Sequence, residues 1–425
     1  MPSDGRQPRR PPPGALRLVG GGVVTGAADD DPSAIGTYAS AGAKYGLAFL
    51  WIAPVLLPMM YVVVYLSSKL GQVYGLGLFD AIRRRFPKAV LYPVLIGGVI
   101  GNVIEAAADL GGIAAALALR IHWPVPLLVT VVAAIILALQ WWGSYALLRR
   151  IFRWLALALL AYILAAILAK PDLRAVLAGT LQPWIHFDRE FLGMVVACIG
   201  TSLSAYIYTW QSNQEVEEEI AEGKHSWRQR RGATFGELRR TRRDVLIGMI
   251  FSNIILYFII MATGATQHPA GTQIESAAQA AEALRPLAGD AAGLLFMVGV
   301  VGVGFLATPI MTTGAAYDLV QSLGKPGSLH DKPREARTFY GCIVAVTVVA
   351  VGINALGFNP MKMLIWSGVV QGFSVPPLLV LMLVMTNDRG MMGDKVNGLG
   401  TNLLGVATVI ATGLATAFLI ATWFR

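Results

Sequence analysis

Asp29-Asp30-Asp31-Pro32-Ser33-Ala34 lies inside an apolar segment that runs from about Leu16 to Ala43. Three consecutive carboxylates at membrane depth cost several kcal/mol each unless something holds them. Pro32 follows directly, and the residue before a proline is pushed out of the α region. Pro32 also lacks the N–H that a continuous helix would use. The stretch therefore predicts a transmembrane helix broken near its middle, with charge placed at the break. Such a break survives at membrane depth only where the freed backbone lines a protein cavity. A site of that kind binds an ion or a substrate.

The rest of the chain supports the membrane reading. Of its 425 residues, 55% are hydrophobic and 14% are charged, against about 25% charged in soluble domains. Spanning segments of ~20 apolar residues fall near 16–43, 47–72, 91–119, 124–144, 149–169, 188–220, 244–265, 291–318, 336–357, 361–385 and 399–423. The expectation is an all-α polytopic protein of eleven spans, with a basic, proline-rich disordered tail at 1–15 and one transmembrane domain over 16–425. No cleavable leader is expected, since no short apolar run with a cleavage site follows the tail. Cys198 and Cys342 both fall in apolar runs and predict no disulfide framework.

Basic residues crowd alternate loops. Arg6, Arg9, Arg10 and Arg17 precede span 1; Arg83, Arg84, Arg85 and Lys88 join spans 2 and 3; Arg149, Arg150 and Arg153 link spans 4 and 5. Eight more lie between Lys224 and Arg243, and the pattern continues at Lys325, Lys332, Arg334, Arg337, Arg389 and Lys395. The positive-inside rule then puts the N-terminus in the cytoplasm of a plasma or inner membrane and the C-terminus outside. It also explains the basic 6–7 loop without nucleic acid as a partner.

Span 6 carries a second anomaly. Thr201-Ser202-Leu203-Ser204-Ala205-Tyr206 puts small and hydroxylated residues where a lipid-facing helix would carry Leu and Val. Helix packing alone would account for small residues. An interruption five spans after the first instead points to inverted repeats, spans 1–5 and 6–10, with a site between broken helices 1 and 6. The halves share no clear sequence identity, so the repeat rests on topology.

The acids at the break would repel a carboxylate and suit a cation. An EF-hand is excluded, because its sixth position is Ala34 and its twelfth Ser40. His and Cys clusters are absent, and all five histidines fall in expected loops. The oxygen donors that remain suit Mg²⁺, Ca²⁺ or Mn²⁺. Asp31, next to Pro32, is the leading ligand, with Asp30 beside it and Asp29 at the mouth of a vestibule. Glu105 and Asp109 in span 3 lie four apart and share a helix face. Gln371 in span 10 is a further partner, and Glu215, Glu217, Glu218 and Glu219 form a solvated end of span 6. No nucleophile–base set or cofactor loop points to an enzyme.

The Asp-Asp-Pro-Ser start of span 1 and the Trp210-Gln211…Gln214-Glu215-Val216-Glu217-Glu218 end of span 6 resemble the NRAMP divalent-metal transporters. Within that family they resemble its NRAMP-related magnesium transporter branch. The resemblance implies a leucine-transporter-type fold. Against the family's Asp-Pro-Gly-Asn motif, Asp31 keeps the acid and Ala34 stands at the Asn, while Ala28 matches a backbone carbonyl ligand. In span 6, Thr201 stands at a carbonyl ligand, Ser204 at the Met thioether and Tyr206 at the His linked to proton movement. In span 3, Asp109 matches the second of two family acids and Ala106 stands at the first.

These substitutions predict a wider, harder site for a partly hydrated Mg²⁺, or Mn²⁺, with Thr201, Ser204 and Gln371 as outer partners. Gln211, Glu215, Tyr206, Glu105 and Asp109 would line the pathway. With no histidine in a span, uptake is expected to follow the membrane potential without obligatory protons. The alternatives are a proton-coupled Mn²⁺/Fe²⁺ symporter of the family's main type, and a cation channel or sensor. The partners expected are the transported divalent ion and the lipid bilayer; no resident cofactor, nucleic acid or obligate protein partner is inferred.

Overall fold

The computed structural model describes residues 21–142, 160–329 and 331–424, with side chains from residue 25. The expectations for the N-terminal tail, for Arg149, Arg150 and Arg153, for the first part of span 5 and for His330 lie outside the described residues. No strand occurs among those described. The helices that carry the spans are α1 (Gly21–Asp29), α2 (Pro32–Tyr45), α3 (Ile52–Tyr74), α4 (Lys88–Ala118), α5 (Val125–Trp142) and α6 (Leu160–Leu168) in the first half. The second half holds α7 (Arg189–Ser202), α8 (Ala205–Ala221), α9 (Phe235–Thr266), α10 (Ala292–Ser322), α11 (Arg337–Ala355), α12 (Pro360–Asn387) and α13 (Leu399–Ala421).

Nine stretches among the described residues are long and apolar enough to cross a membrane. The first span falls short of that measure because Asp29, Asp30 and Asp31 put three charges into it, and the fifth because only α6 is described. Both interruptions lie where polar residues cluster. The first is at Asp30 and Asp31, and Asp31 caps α2 in an extended conformation (φ −65°, ψ 171°). The second is at Leu203 and Ser204, with Ser204 leading into α8 (φ −54°, ψ 137°). Span 6 is the most enclosed of these nine and α13 the least, and every residue from Pro32 to Ala43 in α2 is buried. The two broken spans therefore form the centre and α13 the periphery.

Two expected boundaries move. Span 7 begins at Phe235, not near 244, because Thr234 and Glu237 form a capping box there. Arg239, Arg240, Arg242 and Arg243 thus belong to the first turns of a helix and not to a loop. Hydropathy marks where the apolar stretch starts, whereas capping decides where the helix starts. Span 8 likewise runs on to Ser322, which brings Asp318 inside a helix.

Packing fixes what faces the breaks. Helices α10 and α12 both pack on α4, α7 lies along α12, α8 along α3, and α1 along α9. The α7–α12 crossing is backbone on backbone. A Cβ at Gly200 would meet the Gly368 carbonyl oxygen at 1.7 Å and the Gly372 nitrogen at 2.4 Å. This close approach carries Gln371 to the span 6 break. Gly200→Ala is therefore expected to force α7 off α12, destabilising the protein by at least about 1–3 kcal/mol. Gly413→Ala, which faces open space, should be tolerated. Melting temperatures of the two detergent-purified variants check this, and equal values would refute the crossing.

Candidate functional site

Breaking a helix frees backbone N–H groups that must find acceptors. At the start of α2, the Ala34 N–H donates to Asp31 Oδ1 at 2.7 Å and the Ser33 N–H donates to Asp109 Oδ1 at 3.1 Å. At the start of α8, the Ala205 N–H donates to Gln371 Oε1 at 3.3 Å. The positive ends of two half-helices thus meet oxygens from α4 and α12, which the dipole favours. Proline at the first position of α2 suits this, since its missing N–H leaves no donor to satisfy.

Ser33 is the hub of the site. Its hydroxyl lies 2.8 Å from Asp31 Oδ1, 2.9 Å from Thr201 Oγ1 and 3.3 Å from Glu105 Oε1. Ser204 Oγ donates to the same Glu105 oxygen at 2.7 Å, and Gln371 Nε2 donates to Glu105 Oε2 at 2.6 Å. Gln371 also reaches Asn102, whose amide lies 3.4 Å from Asp318 Oδ2. On the other side of Asp31, the Tyr206 hydroxyl stands 2.9 Å from Oδ2 and 2.8 Å from the Ala28 carbonyl oxygen. Asp31, Glu105, Asp109, Thr201, Ser204, Tyr206 and Gln371 are all fully or almost fully buried.

The structure therefore gathers Asp31, Ala28, Thr201, Ser204, Gln371, Glu105, Asp109 and Tyr206 into one network. Ala34 is there through its backbone N–H, a donor that cannot ligate a metal. Asp30 is not in the network; with Asp29 it turns to Ser252 of α9. Gln211 and Glu215 form a separate polar column, in which Gln211 accepts from Thr25 at 2.6 Å and donates to Glu215 at 3.0 Å, while Ser68 also binds Glu215.

The expected solvated end of span 6 is only partly so. Glu218 is exposed, but Glu217 and Glu219 are buried. Glu217 accepts from Tyr317 at 2.5 Å and Ser328 at 2.7 Å, because α10 and the segment after it fold over α8. That contact borders a cavity of about 370 Å³ lined also by Arg83, Arg84 and Lys325, away from the breaks.

Sequence reasoning missed Ser33, Asn102, Ser252 and Asp318. Asp318 carried a usable signal, an acid at the very end of an expected apolar span. The hydroxyls carried none, because serine is common wherever helices pack closely.

Chemically the site is an oxygen site. No group of three or more His, Cys, Asp or Glu side chains is gathered at metal-ligating spacing among the described residues. Around the break are one carboxylate, a carbonyl, hydroxyls and an amide, with two further carboxylates one hydrogen bond away. No basic residue pairs with Asp31, Glu105 or Asp109 among the described residues. Such a set can hold a hard cation that keeps some of its own waters.

A family model described as natural resistance-associated macrophage protein-like matches residues 22–422. The divalent metal cation transporter MntH of Bacillus subtilis is 26% identical over 427 residues, covering 97% of this chain and 93% of the relative. Its counterpart from Aeromonas hydrophila is 27% identical over 414 residues, covering 96% of each. Among solved structures, a manganese transporter from Eremococcus coleocola superposes with a TM-score of 0.71 at 18% identity, covering 98% of this chain and 90% of that one. The nucleobase-cation-symport-1 family transporter Mhp1 gives 0.59 at 14% identity, covering 94% and 92%. These likenesses show a leucine-transporter-like helical membrane fold.

Tyr206 supplies a test of the site. One hydroxyl proton faces two acceptors, Asp31 Oδ2 and Ala28 O. Tyr206→Phe leaves both buried and unpaired, at a cost of about 1–3 kcal/mol, and a bound divalent ion would satisfy both. The variant is expected to melt lower than the native protein without metal, yet to gain more from added Mn²⁺. Equal metal-induced shifts in the two proteins would remove Tyr206 from the site.

Proposed function

The chain belongs to the natural resistance-associated macrophage protein-like family, and from that premise we propose that it carries Mn²⁺ and Mg²⁺ across the membrane through the break at Asp31. One observation carries the reading. A charged oxygen, Asp31 Oδ2, and a freed backbone oxygen, that of Ala28, converge on a single point less than 3 Å from each, where the Tyr206 hydroxyl stands. Two oxygens aimed at one point, at the junction of two broken helices, are the elements of a cation site.

The names of the matched relatives support a manganese carrier of the family's main type more directly than a magnesium-selective one. Admission of Mg²⁺ is inferred from the donors. Ser204 stands where the family carries a thioether, and hydroxyl and carbonyl oxygens give a soft metal no advantage. With few direct ligands, the ion keeps part of its water shell, which suits an ion that dehydrates reluctantly. We place the N-terminus in the cytoplasm on the loop charges, so that an inside-negative potential pulls the ion inward with ~2.3 kcal/mol per charge per 100 mV.

A second reading concerns coupling. Proton-coupled symport is favoured by Glu105 and Asp109, which join Asp31 through Ser33 in one buried network without a basic partner among the described residues. Three carboxylates exceed the charge of one divalent ion, and their charge must be balanced when the ion leaves. On this point the coupled alternative is better supported than transport without protons.

Uptake into proteoliposomes tests both readings. Saturable flux of Mn²⁺ and Mg²⁺ is expected, falling to background in Asp31→Asn while that variant still purifies as a folded protein. High-affinity Cd²⁺ transport with Mg²⁺ excluded would overturn the ion assignment. A pH-dye signal that scales with metal flux at fixed potential, and vanishes in Asp109→Asn, supports symport; flux with no such signal sinks it.

A further inference from the structure

The three consecutive acids do not act as one group. Asp31 turns to Ser33, Ala34 and Tyr206, whereas Asp29 and Asp30 turn to the opposite side, onto α9. There the Ser252 hydroxyl lies 2.8 Å from Asp29 Oδ2 and 2.9 Å from Asp30 Oδ1. A hydroxyl carries one proton, so it donates to only one of these oxygens at a time. The other two oxygens, Asp29 Oδ1 and Asp30 Oδ2, are buried with no hydrogen-bond partner. Both acids are 0% exposed, and neither forms an ion pair among the described residues.

The helix crossing explains why the acids are held there. A Cβ at Gly26 would meet the Gly248 carbonyl oxygen at 2.2 Å, so α1 and α9 touch backbone to backbone. One turn further along each helix, Asp29 and Asp30 are pressed against Ser252. Carboxylates enclosed in this way are tolerated when something opposes their charge. Two carboxylates carry the charge that one divalent cation neutralises, and their free lone pairs are the hard oxygen ligands such an ion takes.

We propose that Asp29, Asp30 and Ser252 form a second divalent-cation site, separate from the break at Asp31 and built on the α1–α9 contact. It takes an oxygen-preferring ion of the Mg²⁺ or Mn²⁺ class. The two sites share a segment of chain but no side chain, so each can be removed alone.

Titration of the full-length protein in detergent with Mn²⁺, following the spectroscopic signal of free Mn²⁺, tests this. The native chain is expected to bind two ions, the Asp29→Asn/Asp30→Asn variant one, and Asp31→Asn one. Ser252→Ala keeps both acids and should bind two ions, one of them about tenfold more weakly. A native chain that binds one ion, lost in Asp31→Asn and kept in the Asp29→Asn/Asp30→Asn variant, overturns the second site and leaves a neutralised acid pair. Two ions still bound by the Asp29→Asn/Asp30→Asn variant overturn it as well. If that variant does not fold, Ser252→Ala decides, and unchanged affinity at both sites overturns the proposal. Retention of both ions in Asp31→Asn would count against the Asp31 reading alone.

Discussion

The freed backbone groups and buried charges at the centre of this protein need partners from the protein itself. The breaks at Asp30–Asp31 and Leu203–Ser204 expose N–H groups that an unbroken helix would bond internally. In lipid each unsatisfied group costs several kcal/mol. The structure answers with side chains from distant spans: Asp109 for Ser33, Asp31 for Ala34 and Gln371 for Ala205. The positions of α4 and α12 follow from that demand. So do the glycines that let them approach, with Gly200 against Gly368 and Gly101 against Gln371.

The same constraint shapes the chemistry. A carboxylate in this interior is held by donors or by a cation, and basic residues supply neither around the breaks. Hydroxyls take the role instead. Ser33 and Tyr206 take the two oxygens of Asp31, Ser204 takes one oxygen of Glu105, and the Gln371 amide takes the other. Their hydrogen bonds are individually modest, about 0.5–1.5 kcal/mol net and more to a charged acceptor. On the proposed function a divalent ion arriving at Asp31 can displace them, which a salt bridge to lysine or arginine would resist. A site built from exchangeable hydroxyl contacts suits a cargo that must bind and then leave.

Tyr206 joins the acid at the first break to the backbone beside it. By resemblance it stands at a histidine associated with proton movement. Here its ring is buried and its hydroxyl touches both the Asp31 carboxylate and the Ala28 carbonyl. Ser204, which by resemblance stands at a thioether position, spends its hydroxyl on Glu105. On that resemblance both positions carry hydroxyls in place of soft and titrating groups, and the donors around the break are oxygens and amides.

Much of the architecture was legible in the sequence. Polar residues inside apolar runs located both breaks, because charge at membrane depth needs an enclosed site and proline there interrupts the helical hydrogen bonds. The four-residue spacing of Glu105 and Asp109 put both on the face that meets Ser33, since helical geometry is local. What one acid faces was not legible. Asp30 and Asp31 are neighbours in the chain, yet one turns to Ser252 and the other to Tyr206, because both lie in the break between α1 and α2, where the backbone changes direction. Nor did composition reveal that Glu217 is enclosed by Tyr317 and Ser328, or that Asp318 stands near Asn102. Local pattern determines which segments are helices and where they fail. Which side chains meet across a break depends on how distant helices cross, and only the tertiary structure decides that.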